Sequence, residues 1–474
     1  MTVPQAVLDR LKDAVGAKGF STDPAEIAPY LEEWRGKYQG HTPLLLRPAT
    51  TAEVSAVLSI AQESGTPIVT QGGNTGLVGG QIPFHDEVLL STKRLNQMSA
   101  VDARGMTLTS EAGVTLAQVQ RAADENNLLF PLSLASEGSC TIGGNIATNA
   151  GGTHVLRYGM TRALVLGLQV VLPGGAVLDM LRSLAKDNSG YDLKQMFIGS
   201  EGTLGVITAA TLKLFPKPEV SVTAFAAVPS PAAALKLLGA MQARTSGMLS
   251  AFELIPRIAL DLVARHIEDT RDPLSTPSPW YVLMEATGGR ESNLATCFEA
   301  GLADAVTGGM ASDAVVASSQ AQAAALWKLR EGISESQRRE GASIKHDIAV
   351  PVATVPDFLA RATPVVESLV PGARAVSFGH LGDGNLHFNF SAPVDGDNAA
   401  FLARWDDVQQ AVHDIVQEFG GSISAEHGIG AMKVASLPRY KSHAELDAMR
   451  ALKAAFDPRN ILNPGKTVPP VLRL

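Results

Sequence analysis

The stretch at residues 375–390 (AVSFGHLGDGNLHFNF) constrains the fold more than any other part of this 474-residue chain. Residues 376–380 and 386–390 each have the composition of a short β-strand. Between them, residues 382–385 (GDGN) are of types that tolerate positive φ and favour a turn. The pattern predicts a β-hairpin that carries one histidine in each strand.

This hairpin is expected to bring His380 and His387 near each other across the turn. Glu426, in the later sequence AEHG at residues 425–428, would add a carboxylate. Two imidazoles and one carboxylate can hold a divalent metal and leave a coordination position open for a substrate. The alternative is that the two histidines are ordinary polar residues beside a turn.

Composition and charge limit the classes of function. Hydrophobic residues make up 45% and charged residues 18% of the chain, which predicts a soluble globular protein with two or three domains. The formal net charge is −8 and no basic run is present, so nucleic acid is not an expected partner. Cys140 and Cys297 cannot form a disulfide framework. With neither a secretory signal nor a membrane span in the sequence, we predict a cytoplasmic protein without a transmembrane segment.

Three glycine-rich blocks occupy the first half of the chain, at residues 71–80 (QGGNTGLVGG), 138–152 (GSCTIGGNIATNAGG) and 197–208 (FIGSEGTLGVIT). In the first block, glycines allow successive N–H groups to turn inward and bind anionic oxygens such as a pyrophosphate. The spacing is not G-x-G-x-x-G, so a Rossmann dinucleotide site is not indicated. The alternative for any single block is a plain flexible loop.

A change in composition at residues 216–218 (PKP) indicates a domain boundary. Beyond it, strand-like segments alternate with Ala-rich helices as far as residue 420, which predicts an antiparallel sheet covered by helices. We therefore divide the chain into residues 1–218, 219–420 and 421–474.

Taken together, the motifs resemble the FAD-linked D-2-hydroxyacid dehydrogenases of the vanillyl-alcohol-oxidase superfamily. The resemblance runs in order from about residue 40 to residue 474. Its motifs are the blocks at residues 71–80, 138–152, 186–193, 197–208, 379–390, 425–430 and 460–466.

The resemblance implies an α+β fold with a two-part FAD-binding domain at residues 1–218. Residues 219–420 would form the substrate (cap) domain, and residues 421–474 would return to the FAD domain and complete the active site. No histidine stands in the first glycine block, so FAD is expected to bind noncovalently. The residues implied to bind FAD are Gly72, Gly73, Asn74, Thr75, Gly76, Gly79, Gly80, Gly138, Ser139, Gly143, Gly144, Asn145, Thr148, Asn149, Gly152, Glu201, Gly202, Gly205, Ile207 and Asn463.

The implied reaction is oxidation of D-2-hydroxyglutarate to 2-oxoglutarate by hydride transfer to flavin N5. A divalent metal on His380, His387 and Glu426 would lower the pKa of the substrate hydroxyl, and zinc fits this ligand set, with cobalt, manganese or iron as alternatives. His427 would be the catalytic base, because an imidazole titrates near neutral pH. The alternative for His427 is structural support of the metal site.

A 2-hydroxy diacid also needs a cation for its second carboxylate, and the resemblance assigns substrate binding to Arg330, Ser334 and Lys345. Arg330 and Ser334 are four residues apart, so one face of a helix can present both. Without the resemblance, the local sequence predicts that Arg330 is a surface ion-pair partner of a nearby glutamate, Glu331 or Glu335. Asn389, two residues beyond His387, is expected to hold a substrate carboxylate.

Two other functions remain open at this stage. D-lactate or another short D-2-hydroxy acid is the alternative substrate, and a transferase on a flavin scaffold without net redox chemistry is the alternative class. The resemblance suggests an electron-transfer flavoprotein or a quinone as electron acceptor. The oligomeric state is left open, a homodimer included.

Overall fold

The computed structural model describes residues 3–470, which fold into two compact units. Unit 1 takes the described residues up to Gly152, then Gly159–Lys217 and the described residues from Glu426 onward. Unit 2 takes Thr153–Tyr158 and Pro218–Ala425. Each unit therefore combines segments that are distant in the sequence.

The strands are numbered in chain order. They are β1 (Phe20–Ser21), β2 (Leu45–Leu46), β3 (Ile68–Gln71), β4 (Val88–Ser91), β5 (Thr107–Glu111), β6 (Leu128–Leu129), β7 (Val165–Val171), β8 (Val177–Met180), β9 (Val206–Lys213), β10 (Phe215–Pro216), β11 (Val220–Val228), β12 (Leu249–Pro256), β13 (Trp280–Gly288), β14 (Asp313–Val316), β15 (Ser343–Ile344), β16 (Asp347–Ala349), β17 (Arg374–His380) and β18 (Asn385–Ser391).

The α-helices are numbered in the same way. They are α1 (Gln5–Val15), α2 (Pro24–Ile27), α3 (Thr51–Ser64), α4 (Leu116–Asp124), α5 (Ile142–Thr148), α6 (Val155–Tyr158), α7 (Thr161–Leu164), α8 (Lys194–Phe197), α9 (Pro231–Arg244), α10 (Arg257–His266), α11 (Leu294–Thr307), α12 (Gln320–Glu340), α13 (Val355–Leu369), α14 (Asn398–Leu402), α15 (Trp405–Glu418), α16 (Leu437–Tyr440) and α17 (His443–Phe456).

Unit 1 contains two four-stranded sheets. The first has the order β1-β2-β4-β3, with β2, β4 and β3 parallel, and the second has the order β5-β9-β7-β8 and is antiparallel. Helices α1 and α3 cover the first sheet through a core that includes Leu11, Leu58 and Leu90, all fully buried. The prediction of a two-part domain in this region is thereby confirmed.

Helix α3 has a threonine at its N-cap. The helix begins at Thr51, and the Oγ1 atom of Thr50 accepts a hydrogen bond from the Glu53 N–H at 3.1 Å. This hydroxyl satisfies one of the backbone N–H groups that the first turn of a helix leaves without a partner.

The C-terminal residues of unit 1 return to the first sheet, as predicted. The Ile68 N–H donates to the Ile461 carbonyl at 2.8 Å, and the Asn463 N–H donates to the Ile68 carbonyl at 2.9 Å. This parallel bridge extends the sheet at the edge formed by β3. Ile461 and Leu462 complete the burial of the core beneath it.

Unit 2 is built on one antiparallel sheet with the order β14-β11-β13-β12-β17-β18-β15, and β16 also pairs with β18. Helices α10 and α12 cover it through a core in which Phe225, Tyr281 and Ile333 are fully buried. The predicted antiparallel sheet with covering helices is confirmed.

Two features of unit 2 were not evident from the sequence. Residues 398–418 form two helices, α14 and α15, and neither a glycine nor a proline marks the turn between them at Ala403 and Arg404. Strand β12, in the centre of the sheet, was not predicted, because a glutamate interrupts its apolar run. Within residues 3–470, no helix combines the length and the apolar character that a membrane crossing requires.

Candidate active site

The hairpin of β17 and β18 in unit 2 positions the two predicted histidine ligands. Phe378 pairs with His387 and His380 pairs with Asn385, so His380 and His387 are diagonal neighbours on one face of the sheet. Their ring centroids are 5.5 Å apart, and a ligand nitrogen of one ring lies within 4.8 Å of a ligand nitrogen of the other. The prediction that the turn brings these histidines together is confirmed, and metal binding stays a prediction.

The orientation of His380 is fixed by Glu253, a residue that the sequence analysis did not identify. The Nδ1 atom of His380 lies 2.6 Å from Oε1 of Glu253, which is fully buried in β12. An ionised carboxylate can only accept a hydrogen bond, so Nδ1 carries a proton, and in the neutral imidazole Nε2 is then the unprotonated nitrogen. A histidine in this state is a ready metal ligand, which fits the predicted divalent metal.

Asp347 is a second carboxylate beside the hairpin that the sequence analysis missed. It pairs with His387 across β16 and β18, and a carboxylate oxygen lies within 4.8 Å of a ligand nitrogen of His387. The Ala425 N–H donates to the Asp347 carbonyl at 3.3 Å, so unit 2 ends beside this strand. Glu426 and His427 are the next two residues of the chain.

In unit 1, the Glu426 carboxylate is held against the second glycine block. Its Oε1 atom accepts a hydrogen bond from the Gly152 N–H at 2.8 Å. A Cβ at Gly151 would lie only 2.5 Å from the same oxygen, so a glycine is needed there for the carboxylate to approach. The second carboxylate oxygen is not used by Gly152, and Glu426 can serve as a metal ligand through it.

His427 is half-buried and lies in a segment that Glu201 holds in place. The Glu201 carboxylate accepts hydrogen bonds from the Ile429 N–H at 2.9 Å and the Gly430 N–H at 2.8 Å. Burial raises the pKa of Glu201, although these two hydrogen bonds oppose the effect. The side chain of Glu201 thus bonds the segment that carries His427, and its predicted role in FAD binding stays a prediction.

Arg330 is buried in α12, so the interpretation of it as a surface partner of Glu331 or Glu335 is wrong. Its Nε atom donates to Oε2 of Glu253 at 2.6 Å, and Glu253 is buried as well. Among residues 3–470, neither terminal guanidinium nitrogen of Arg330 donates a hydrogen bond. These two parallel donors have the geometry that grips a carboxylate.

The other predicted substrate residues are spread over nearby elements of unit 2. Ser334 is exposed on α12, one turn after Arg330, and Lys345 is half-buried between β15 and β16. Asn389 is buried in β18, where its Oδ1 accepts from the His346 N–H at 3.1 Å and its Nδ2 donates to Gln337 at 3.0 Å. Asn389 therefore keeps one amide hydrogen for a ligand.

The first two glycine blocks contact each other in unit 1, and a side chain in place of Gly72 or Gly73 would collide with the second block. A Cβ at Gly72 would lie 2.3 Å from Thr141 Oγ1, and a Cβ at Gly73 would lie 2.1 Å from the Ser139 carbonyl. Thr141 Oγ1 and Gln71 Oε1 are buried without a hydrogen-bond partner in the described part of the chain. A bound nucleotide with hydroxyl and amide groups would satisfy them, so these residues fit the predicted FAD.

The remaining candidates for FAD binding have mixed environments. Several lie in the left-handed region that a tight cradle requires, and these are Asn74, Gly79, Asn149, Gly152, Glu201, Gly202 and Asn463. Asn463 Nδ2 donates to the carbonyls of Gly80 and Glu201 at 2.9 and 2.8 Å. Gly205 and Ile207 lie in the core near Val170, and Gly138 is exposed. The FAD-binding role of each of these residues stays a prediction.

Comparisons with known proteins agree with a fold of two domains, one of which binds FAD. Residues 42–181 match the model of an FAD binding domain, and residues 217–467 match the C-terminal domain of FAD linked oxidases. The p-cresol methylhydroxylase structure superposes with a TM-score of 0.78 at 19% identity, covering 98% of each chain. The fold is therefore that of a two-domain FAD-linked oxidoreductase.

Two relatives narrow the class of FAD-linked oxidoreductase that this chain resembles. A D-2-hydroxyglutarate dehydrogenase of Xanthomonas citri pv. viticola is 40% identical, covering 98% of this chain and 97% of that protein. The mitochondrial D-2-hydroxyglutarate dehydrogenase of Arabidopsis thaliana is 38% identical, covering 97% of this chain and 80% of that protein. The chain belongs to the FAD-linked oxidases, and the predicted resemblance to D-2-hydroxyacid dehydrogenases is confirmed.

The prediction of a cytoplasmic location is wrong, because the Arabidopsis thaliana relative is named a mitochondrial protein. The prediction used the low cysteine content and the lack of a secretory signal. Those two signals concern disulfide formation and secretion, and they do not distinguish among compartments that keep thiols reduced.

Proposed function

We propose that this protein oxidises D-2-hydroxyglutarate to 2-oxoglutarate, using noncovalent FAD and a divalent metal. The observation that carries the choice of a diacid is the buried guanidinium of Arg330, whose two terminal nitrogens are not used by described residues. A cation in this state is costly to bury unless a ligand completes its hydrogen bonds. A second carboxylate on the substrate would do so.

The proposed metal ligands are His380, His387 and Glu426. The His380–Glu253 hydrogen bond supports this assignment, because it holds the proton of the neutral imidazole on Nδ1 and leaves Nε2 unprotonated, as a metal ligand must be. When bound, the metal acts as a Lewis acid that lowers the pKa of the substrate hydroxyl. Zinc is the first choice for two imidazoles and one carboxylate, with cobalt, manganese and iron as alternatives.

His427 is the proposed catalytic base. It accepts the proton of the substrate hydroxyl, while the α-hydrogen leaves with two electrons and the C–O single bond becomes a carbonyl. FAD, when bound, supplies the two-electron acceptor for this step. His427 directly follows a proposed metal ligand, and Glu201 fixes the backbone that follows it.

The substrate carboxylates are assigned to the cations and amides of unit 2. Arg330 binds the distal carboxylate through its two terminal nitrogens. Ser334 and Lys345 are also assigned to substrate binding. Asn389 offers its remaining amide hydrogen to the carboxylate next to the hydroxyl. In D-lactate a methyl group takes the place of the distal arm, so the two terminal nitrogens of Arg330 would receive no hydrogen-bond acceptor from the substrate.

The FAD site is proposed at the first two glycine blocks, around Gly72, Gly73 and Thr141. No covalent attachment is proposed, since residues 71–80 contain no histidine. We propose an electron-transfer flavoprotein or a quinone as the acceptor that reoxidises the flavin. A homodimer stays a prediction.

The function is tested by anaerobic addition of hydroxy acids to the purified, FAD-loaded protein. D-2-hydroxyglutarate should bleach the flavin absorption faster than D-lactate does, and L-2-hydroxyglutarate should leave the flavin oxidised. Equal or faster reduction by D-lactate would overturn the choice of a diacid. A flavin that no hydroxy acid reduces would favour the transferase instead.

The metal is tested on the same protein by treatment with a chelator. Removal of the metal should abolish flavin reduction while FAD stays bound, and added Zn²⁺, Co²⁺ or Mn²⁺ should restore it. Full activity in protein that contains no metal by elemental analysis would exclude the proposed role of His380, His387 and Glu426.

A further inference from the structure

Glu253 is the one charged residue of β12, a buried strand at the centre of the unit 2 sheet. Strand β12 lies between β13 and β17, and every one of its residues is buried. Glu253 pairs with Leu283 on one side and with His380 on the other. A carboxylate in this position loses its hydration, so its retention requires strong partners.

Both oxygens of the Glu253 carboxylate are used, and they contact two different functional residues. Oε1 lies 2.6 Å from Nδ1 of His380, and Oε2 accepts from Nε of Arg330 at 2.6 Å. The guanidinium cation of Arg330 favours the ionised form of the Glu253 carboxyl group. An ionised carboxylate accepts hydrogen bonds from both neighbours.

Stability alone is a weak reason for this arrangement. Apolar residues of similar volume can replace a buried ion pair at little cost or with a gain in stability, since desolvation offsets much of the attraction. The two contacts instead fix the state and the direction of each partner. In the neutral imidazole of His380 the proton is then held on Nδ1, and Arg330 is held through Nε, with no hydrogen bond from either terminal nitrogen to Glu253 in the described structure.

A second contact restrains Arg330 in the same orientation. Its Cζ lies 4.7 Å from the centroid of the Phe378 ring, and Phe378 is itself the cross-strand partner of His387. The guanidinium is thus held by a carboxylate at Nε and by an aromatic face. Neither contact uses the side of Arg330 that would receive a substrate carboxylate.

We infer that Glu253 is a positioning residue that holds His380 for metal binding and Arg330 for binding the distal carboxylate of the substrate. One buried side chain would then fix the metal-binding group relative to the carboxylate-binding group, and so the length of acid that can span them. The inference rests on the proposed function. It adds a residue that touches neither the substrate nor the metal.

The test is the metal affinity of Glu253→Gln, measured by competition with a chromophoric chelator. Glutamine has nearly the same shape, but its amide nitrogen is a donor and cannot accept from His380 or from Arg330. We expect metal affinity to fall about 10- to 100-fold, as for other residues that orient a metal-bound histidine. Binding of 2-oxoglutarate to the oxidised, metal-loaded protein should weaken as well.

Glu285→Gln is the matched control. Glu285 is also a largely buried carboxylate of the same sheet, on β13, and accepts hydrogen bonds from Thr223 and from Trp327 of α12 at 3.0 Å each. It contacts neither His380 nor Arg330 in the described structure. This variant should lose stability and keep the metal affinity of the wild type.

The possible outcomes separate this inference from the proposed function. Folded Glu253→Gln protein with wild-type metal affinity would overturn the positioning role while leaving the metal site in place. Wild-type protein that binds no divalent metal would overturn both. If Glu253→Gln does not fold, Glu253→Asp keeps the negative charge opposite Arg330 but is one methylene too short to reach both partners; wild-type metal affinity in that variant would likewise overturn the inference.

Discussion

Arg330 lies against the face of Phe378, with its Cζ atom 4.7 Å from the ring centroid. Together with the hydrogen bond to Glu253, this contact holds the guanidinium in a single buried position. Among the residues that the structure describes, none accepts a hydrogen bond from its two terminal nitrogens, so both can bind a ligand. The geometry of this one side chain is the basis for expecting a dicarboxylic substrate.

Replacement of Arg330 by lysine should therefore impair the diacid selectively. Lysine keeps a positive charge beside Glu253 but lacks the planar fork of two donors. We expect kcat/KM for D-2-hydroxyglutarate to fall about 10- to 100-fold, which corresponds to about 1.5–3 kcal/mol for hydrogen bonds to a charged group. The value for D-lactate should change little.

Arg338→Lys, on the same helix, is the control. Arg338 is exposed and pairs with Glu335 at 2.8 Å, so its replacement should leave both substrates unaffected. An equal loss with D-2-hydroxyglutarate and D-lactate in Arg330→Lys would contradict a role in recognition of the distal carboxylate.

Gly73→Ala should weaken FAD binding. A Cβ at this position would lie 2.1 Å from the Ser139 carbonyl, and because that atom is backbone the two glycine blocks would have to move apart. We expect a lower ratio of FAD to protein after purification, measured by absorbance. Gly174→Ala is the control, since a Cβ there meets no atom within 4 Å. Full FAD occupancy in Gly73→Ala would argue against a cofactor site at this contact.

Glu340 should stabilise the protein in a pH-dependent way. A hydrogen bond from His266, followed by one from Arg374, lowers the pKa of this carboxyl from 4.5 to about 2. Because the folded-state pKa is depressed, the stabilisation is complete above the unfolded value and is lost as the pH falls from about 4.5 towards about 2. Glu340→Gln should thus lower the melting temperature at pH 7, with a difference that shrinks below pH about 4.5.

Glu335→Gln is a suitable comparison for that measurement, made by circular dichroism over a pH series. Glu335 pairs with Arg338 and Arg339 on the same helix, but these pairs are largely solvated and contribute little to stability. A melting temperature of Glu340→Gln that differs from the wild type by the same amount at every pH would contradict the assignment to an ionised Glu340.

The local sequence was sufficient to predict the hairpin of β17 and β18. Its turn residues and strand lengths are encoded within 16 neighbouring positions, and Gly384 adopts the left-handed conformation that the GDGN turn suggested. The diagonal placement of His380 and His387 follows from this pairing. A close pair of histidines on adjacent strands can therefore be predicted from the local sequence.

The partners of those histidines could not be found in the same way. Glu253 is 127 residues before His380 in the sequence, and only the order of strands in the sheet brings them together. A usable signal was present, since a glutamate inside the apolar run LSAFELIP cannot remain unpaired once that run is buried. The pattern indicates that a partner exists but does not identify it.

For Arg330, the local sequence predicts the wrong environment. Its neighbours Glu331 and Glu335 favour a local ion pair on a helix surface, which is the common outcome for such spacing. The buried environment of Arg330 depends on how α12 packs against β17, and local charge patterning carries no information about that contact.

The six residues Thr153–Tyr158 have a consequence for dissecting the protein. They interrupt the sequence of unit 1 but belong to unit 2, where Arg157 donates to the carbonyl and the hydroxyl of Thr287. If the chain were divided after Lys217, these six residues would stay on the fragment that contains most of unit 1. A free-standing version of unit 2 would need those residues grafted back, for instance through a circularly permuted gene.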